Sequence, residues 1–108
     1  KPQIWYLDLF AGKNDHEAVK EAGEGGHKEI NRTNLSTDQI TEGLKKDVVQ
    51  KQLALIRMRN THKAFSEGAE VTISGGERSL EIRWEYNSAF VTLYVNFESG
   101  TYTIVESR

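Results

Sequence analysis

The chain has 108 residues, of which 37% are hydrophobic and 28% charged, and its formal net charge at pH 7 is −2. This length and composition predict a folded protein with room for one compact domain, and they exclude an intrinsically disordered chain. Acidic and basic residues are interleaved, so no basic stripe is present to bind nucleic acid. The absence of cysteine excludes a disulfide scaffold and thiolate chemistry.

Targeting signals are also missing from the sequence. We find no signal peptide, no lipidation motif and no apolar run long enough to span a membrane, so we expect a cytoplasmic protein without membrane contact.

The first predicted element is a strand over residues 4–10, "IWYLDLF". Pro2 marks its entry and Gly12 its end. The run is apolar on both faces apart from Asp8, which is typical of a strand covered on both sides, as in a parallel sheet. Residues 13–34 are expected to form a long polar loop with a helical turn over residues 17–22. Loops of this length are uncommon unless they form a site or are disordered.

Two helices are predicted next. Ser36 or Thr37 caps the first of them, and Gly43 interrupts it. The second covers residues 47–59 and has its apolar side chains on one broad face. This face consists of Val48, Val49, Leu53, Leu55 and Ile56.

The hydrophobic period changes to two after residue 70, which indicates strands. Four runs separated by glycine or asparagine turns predict an antiparallel meander. We therefore expect two domains, residues 1–66 and residues 67–108. One strand with two apolar faces needs parallel neighbours and covering helices, so we expect the first part to be the end of a larger protein, from which the preceding segment is absent.

Three stretches resemble a known family: "PQIWYLDLFAGKND", "INR" and "VVQKQLALIRMRNTHKAF". Together they are similar to the C-terminal part of sucrose phosphorylase and its close relatives in glycoside hydrolase family 13. The resemblance implies an α+β fragment: the last β/α unit of a (β/α)8 barrel (strand 8, its loop and helix 8), followed by a small antiparallel β-sheet domain. The match is specific in residues 2–65 and generic beyond them.

The activity implied by this resemblance is transfer of glucose from a small α-glucoside to inorganic phosphate with retention, which gives α-glucose 1-phosphate. The reaction is a double displacement through a glucosyl-enzyme. The family's catalytic carboxylates come from earlier barrel strands, so this chain is expected to contain no catalytic residue. No cofactor and no metal are expected, and the parent enzyme could be a homodimer. The exposed barrel-facing surface should make the isolated chain associate.

The site residues implied by the resemblance lie in the loop that follows the strand, where barrels build their active sites. The arginine of "INR" is Arg32, expected to bind glucose through its planar fork of donors. Asn31 would orient Arg32, and Ile30 would pin the loop to the barrel wall. Asp15 and His27 complete the candidate substrate-binding set.

The acceptor sugar is left open by two departures from the family pattern. "INRTNL" lacks the aromatic residues expected after the arginine, and Asp8 stands where a small residue is usual. These changes favour a relative that acts on sucrose 6'-phosphate, glucosylglycerol or glucosylglycerate. In that case His27 and Lys28 are candidate contacts to an anionic acceptor.

Several residues have a structural reading beside a functional one. Asp15 could cap a turn instead of binding substrate. Asp8 is expected to pair with a base rather than to catalyse, and Arg59 to bind helix-terminal carbonyls. Three aromatic side chains could form a carbohydrate-stacking platform, but alternating aromatics in strands are more often core. These are Trp84, Tyr86 and Tyr94.

Other site classes and functions were weighed against the phosphorylase. The three histidines are too scattered for a zinc site, and "GEGGHK" lacks the features of a phosphate-binding loop. Two alternative functions remain open. One is a non-catalytic β module that binds carbohydrate or protein, and the other is a fragment of a hydrolase or transglucosylase of the same barrel family.

Overall fold

The computed structural model describes residues 3–108, so the entry assigned to Pro2 lies outside the described residues. The first half of the described chain is helical and the second half is a sheet. The elements in chain order are α1 (Tyr6–Leu9), α2 (His16–Ala22), a first 3-10 helix (Gly26–Asn31), α3 (Thr37–Gly43), α4 (Asp47–Thr61), a second 3-10 helix (Lys63–Phe65), β1 (Glu70–Gly76), β2 (Ser79–Tyr86), β3 (Ala89–Asn96) and β4 (Thr101–Glu106). The chain divides into two compact units, Lys1–Ile56 and Arg57–Arg108.

The predicted strand over residues 4–10 is wrong: residues 6–9 form the single helical turn α1. The Leu9 N–H donates to Trp5 O and the Phe10 N–H to Tyr6 O, at 2.9 and 3.0 Å. A short apolar run does not distinguish a buried strand from a buried helical turn. No strand of the described residues lies beside this segment, so its backbone groups pair locally. Asp8, expected on a buried strand, is therefore exposed on α1.

The predictions for the two following helices are confirmed. Ser36 caps α3 in a complete capping box, in which its side chain accepts from Gln39 N while the Gln39 side chain accepts from Ser36 N. The last residue of α3 is Gly43, and α4 covers residues 47–61. Val49 is fully buried, but Val48 and Leu55, expected on the same apolar face, are 49% and 40% exposed.

The predicted meander is also confirmed. The four strands pair antiparallel in the order β1-β2-β3-β4. Asn87 and Ser88 join β2 to β3, and both have positive φ, as the tightest hairpin turns require. In the turn before β4, the Asn96 side chain accepts hydrogen bonds from Glu98 N and Ser99 N at 2.9 and 3.0 Å.

The core of the second unit lies at one end of the sheet. Val91 is 2% exposed and pairs with Trp84 across the strands, and the Phe65 ring lies 5.3 Å from that of Trp84. His62 Nδ1 accepts a hydrogen bond from Ala64 N. His62 Nε2 lies 3.1 Å from Ser107 O, so the His62 ring links the second 3-10 helix to the residue that follows β4. The second 3-10 helix therefore caps the sheet at its Trp84 end.

The three aromatic residues considered as a carbohydrate platform do not share a face. Trp84 pairs with Val91, whereas Tyr94 pairs with Glu81. Because side chains alternate along a strand, Tyr94 and Trp84 point to opposite faces of the sheet. Trp84 is half-buried against Phe65, in line with the structural interpretation, whereas Tyr94 is 44% exposed and is not a core residue.

Two further features concern the helices and the Arg59 side chain. No helix in residues 3–108 has the length and apolar character needed to cross a lipid bilayer. Arg59 lies with its guanidinium carbon 5.3 Å from the centre of the Phe65 ring, a cation–π contact within the second unit.

Candidate functional site

The loop predicted over residues 13–34 is largely ordered into short helices. Asp15 caps α2 by accepting a hydrogen bond from Ala18 N at 2.9 Å, and its own N–H donates to Ile30 O at 2.8 Å. The same residue therefore starts α2 and ties it to the first 3-10 helix. This supports the structural reading of Asp15, whose carboxylate is occupied by the helix end.

The first 3-10 helix packs on α2 through a glycine. Gly26 is buried, and a Cβ placed there would lie 2.7 Å from Ala22 Cβ and 2.8 Å from Val19 O. Only a residue without a side chain allows this approach. Gly26 therefore determines how close the segment that carries residues 27–32 lies to α2.

The main chain around Arg32 is held by two aromatic side chains from the start of the described chain. The Trp5 Nε1–H donates to Asn31 O at 2.7 Å, and the Tyr6 hydroxyl donates to Thr33 O at 2.9 Å. The Thr33 hydroxyl in turn donates to Lys13 O at 3.1 Å. The carbonyl groups on both sides of Arg32 are thus fixed across 26 and 27 residues of sequence.

The Arg32 side chain lies in solvent beside one acidic partner. Its Nη1 donates to Glu29 Oε1 at 3.1 Å, and the two side chains are 52% and 40% exposed. An ion pair with this exposure contributes little to stability because water and salt screen it. The guanidinium can therefore exchange Glu29 for another acceptor at small cost.

An open depression of about 320 Å³ lies beside Arg32, and this volume is within the range of small-molecule sites. Its lining consists of Trp5, His27, Lys28, Ile30, Asn31 and Arg32. The structure thus brings Arg32, Asn31 and His27 together, as the resemblance implied, and adds the indole of Trp5. Asp15 is not part of the lining. The depression combines an aromatic wall with donor-bearing cationic side chains, a surface suited to a hydroxylated or anionic ligand.

Possible metal-ligating side chains are dispersed in the part of the chain that the structure describes. No group of three or more His, Asp or Glu side chains is placed to hold an ion there. Asp8 lies on α1 outside the lining of the depression. The carbonyl oxygens of Asp8 and Leu9 accept from the Gln52 side chain at 3.5 and 3.2 Å, which ties α1 to α4.

The anchoring roles of Trp5 and Tyr6 were missed by the sequence analysis. Their side chains were assigned to a strand because they are aromatic and lie within an apolar run. Their polar groups could have indicated these roles, since a buried or half-buried Trp N–H or Tyr O–H usually has a hydrogen-bond acceptor. The identity of that acceptor could not be found from local patterns.

The chain is similar to the C-terminal part of sucrose phosphorylases and related enzymes. It is 47% identical over 107 residues to sucrose 6(F)-phosphate phosphorylase of Ilumatobacter coccineus, which covers 99% of this chain. It is 34% identical over 110 residues to glucosylglycerol phosphorylase of Marinobacter adhaerens, which covers 98% of it. No family model matches the chain.

The fold comparison agrees. The crystal structure of sucrose 6F-phosphate phosphorylase from Thermoanaerobacter thermosaccharolyticum superimposes with a TM-score of 0.87 at 36% identity and covers 99% of this chain. The chain spans about a fifth of the length of these relatives: 20%, 22% and 21%. The matched region is their C-terminal part. The resemblance seen in the sequence is therefore confirmed, and it applies to that part alone.

Proposed function

We propose, from the homology of this chain to the C-terminal fifth of sucrose phosphorylase-type enzymes, that it is the C-terminal segment of a retaining glucosyl phosphorylase. The observation that carries the proposal is 47% identity over 107 of its 108 residues to one such enzyme. The parent enzyme transfers glucose from a small α-glucoside to inorganic phosphate and releases α-glucose 1-phosphate. It uses no cofactor and no metal, acts in the cytoplasm, and is a candidate homodimer.

Within that enzyme, residues 1–66 form the last β/α unit of a (β/α)8 barrel and residues 67–108 form a β domain. Residues 6–9 form the helical turn α1, so the proposed eighth strand does not extend through them. The helix of this unit is α4. The sheet β1–β4 supports the second part of the assignment.

The chemistry requires groups that other parts of the parent enzyme supply. A carboxylate attacks the anomeric carbon and a carboxylic acid protonates the leaving oxygen. Phosphate then attacks the glucosyl-enzyme, so that the new bond has the original configuration. None of these groups is assigned to this chain. Its contribution is to hold the sugar so that the anomeric carbon faces the nucleophile.

Arg32 is the residue that we assign to glucose binding. Its guanidinium can donate to two neighbouring hydroxyls at once, and it stays charged through the reaction. Asn31 and His27 line the same depression. Asp15 supports the site by capping α2 and by holding Ile30 O.

The acceptor half of the substrate is proposed to be anionic. His27 and Lys28 lie in the lining together with Arg32, and a lysine ammonium is a strong point contact for a phosphate group. This favours a phosphorylated leaving group over glycerol. A panel of sucrose, sucrose 6'-phosphate, glucosylglycerol and glucosylglycerate, assayed under equal conditions, identifies the preferred donor.

The test of the proposal is phosphate-dependent release of glucose 1-phosphate by the full-length protein that contains this chain. Arg32→Ala should lower kcat/KM by orders of magnitude without changing the melting temperature, because an ion pair this exposed adds little stability. Arg78→Ala is the matched control, since Arg78 is also exposed and paired with a glutamate, Glu98, but lies in the turn between β1 and β2. Near-normal kcat/KM for Arg32→Ala would remove the site assignment.

The same assay separates the alternative functions. A hydrolase of the same barrel family would release free glucose whether or not phosphate is present. A non-catalytic β module would show no turnover and would bind sugar through the sheet. The opposite orientations of Trp84 and Tyr94 disfavour a stacking platform made of both rings.

A further inference from the structure

Two side chains of the described chain hold the carbonyl groups of the residues immediately before and after Arg32. Trp5 donates its indole N–H to the carbonyl of residue 31, and Tyr6 donates its hydroxyl to the carbonyl of residue 33. The donors are consecutive residues, and their rings lie 5.2 Å apart between centroids. One short aromatic segment therefore contacts the loop immediately before and immediately after the proposed sugar ligand.

We propose that Trp5 and Tyr6 are positioning residues for Arg32, and that they determine where its guanidinium meets the sugar. The inference rests on the proposed function of Arg32 as a glucose ligand. It assigns no contact with the reacting atoms to either aromatic residue.

The geometry explains why both donors are needed. A carbonyl fixed on one side of a residue leaves the next peptide plane free to rotate about φ and ψ. Fixing the carbonyls of residues 31 and 33 limits the φ and ψ angles of residues 32 and 33 together, so the backbone of Arg32 is held between two fixed points. The Arg32 N–H also donates to Glu29 O at 3.1 Å, so the Arg32 side chain leaves the loop in a defined direction.

The side chain of Arg32 is held much less firmly than its backbone. Its partner Glu29 forms a half-exposed ion pair, which substrate can replace at small cost. The site thus combines a fixed backbone with an exchangeable side-chain partner. Because a displacement of about 1 Å far from the chemistry can cost about a hundredfold in rate, the fixed backbone matters for turnover more than for folding.

Packing alone does not account for the two aromatic residues. Trp5 is 46% and Tyr6 37% exposed, well above the values of core residues such as Leu7 at 2%. Their polar tips, however, are both engaged by the same loop. Removing one polar atom while keeping the ring therefore isolates the proposed role.

The experiment uses Tyr6→Phe in the full-length protein, since this change deletes one oxygen. Tyr102→Phe is the matched control, because Tyr102 is an exposed tyrosine on β4. We expect Tyr6→Phe to lower kcat/KM for the glucoside about tenfold, the effect of losing about one hydrogen bond, with an unchanged melting temperature. Trp5→Phe should act in the same direction.

A double substitution distinguishes positioning from a general structural role. If Tyr6 acts through Arg32, then Tyr6→Phe should have little further effect on the residual activity of Arg32→Ala. An undiminished tenfold loss in that background would overturn the proposal, as would a kcat/KM of Tyr6→Phe within twofold of the wild type.

Hydrogen exchange gives a readout that does not need activity. The amides of residues 29–35 should exchange faster in Tyr6→Phe than in the wild type and in Tyr102→Phe. If exchange is faster in Tyr6→Phe but the protein releases no glucose 1-phosphate, the result contradicts the proposed function and still supports the role of Tyr6 in holding the loop. Unchanged exchange would contradict the role of Tyr6 in holding the loop, whatever the activity.

Discussion

At the scale of single residues, a few atoms determine the conformation of the loop at residues 13–34. A missing Cβ at Gly26 lets the first 3-10 helix lie against α2, and one carboxylate oxygen of Asp15 starts α2. Two donor atoms, on Trp5 and Tyr6, fix the carbonyl groups of residues 31 and 33. The Arg32 side chain itself makes one exposed ion pair, with Glu29. The proposed binding role of Arg32 and the proposed positioning role of Trp5 and Tyr6 therefore belong to different residues and can be tested separately.

Gly26→Ala should disturb this loop. A methyl group there would lie 2.8 Å from Val19 O, a backbone atom that cannot move aside alone. We expect a loss of about 1–3 kcal/mol in the free energy of unfolding, as for other overpacked sites, and a weaker glucoside interaction. Urea denaturation measures the first effect and KM the second.

The control for this change is Gly76→Ala, because a Cβ at Gly76 would meet only Ser79 Oγ at 3.6 Å. It should change stability by less than about 1 kcal/mol. Equal losses in the two variants would show that the close approach at Gly26 has no special importance.

At the scale of elements, the sequence predicted what local patterns determine. The meander, the capping by Ser36 and the end of α3 at Gly43 all follow from alternation, turn residues and caps, and all are confirmed. The strand over residues 4–10 failed because an apolar run has no period that distinguishes a strand from a helical turn. On the predicted apolar face of α4, Val49 is fully buried whereas Val48 and Leu55 are 49% and 40% exposed, so the apolar pattern alone did not identify the buried residues.

The candidate site was predictable only in part. Arg32 and Asn31 were named from the "INR" motif and His27 as a further candidate in the same loop, and the structure groups all three around one depression. The anchors could not be found in this way, because the bonds from Trp5 and Tyr6 span 26 and 27 residues. Contacts at such separations depend on the fold and leave no periodic signal in the sequence.

The capping box of α3 gives a prediction at this scale. Ser36→Ala removes the oxygen that accepts from Gln39 N and should cost about 1 kcal/mol of stability. Thr41→Ala, in the same helix, is the control, because the Thr41 hydroxyl only donates to Thr37 O within the helix and alanine favours helix. Thermal melts of both variants measure the difference. A Ser36→Ala variant as stable as Thr41→Ala would contradict the capping role.

At the scale of the whole molecule, each unit exposes apolar side chains. In the first unit Ile4 and Trp5 are 49% and 46% exposed, and in the second Ile73, Phe97 and Tyr102 are 66%, 60% and 55% exposed. Ile73 also lies on β1, an outer strand of the sheet with unpaired backbone groups along one side. Surfaces of this kind favour association.

The isolated 108-residue chain should therefore form dimers or larger species whose proportion rises with concentration. Ile73→Lys should reduce this association, because it places a charge on the apolar face of an outer strand. Thr72→Lys is the control, since its side chain points to the opposite face. Size-exclusion chromatography with light scattering measures the mass. A monomeric wild type at all concentrations would contradict the prediction.

The strand order of the sheet has a kinetic consequence. Each strand pairs with the next one along the chain, so every ladder closes through a short turn. Chains dominated by such local pairings reach their native contacts faster than chains that must join distant segments. During synthesis, each hairpin can form as soon as its second strand leaves the ribosome. The loop at residues 13–34 depends instead on hydrogen bonds that span 26 and 27 residues, so its closure carries a larger chain-entropy cost than that of any single hairpin.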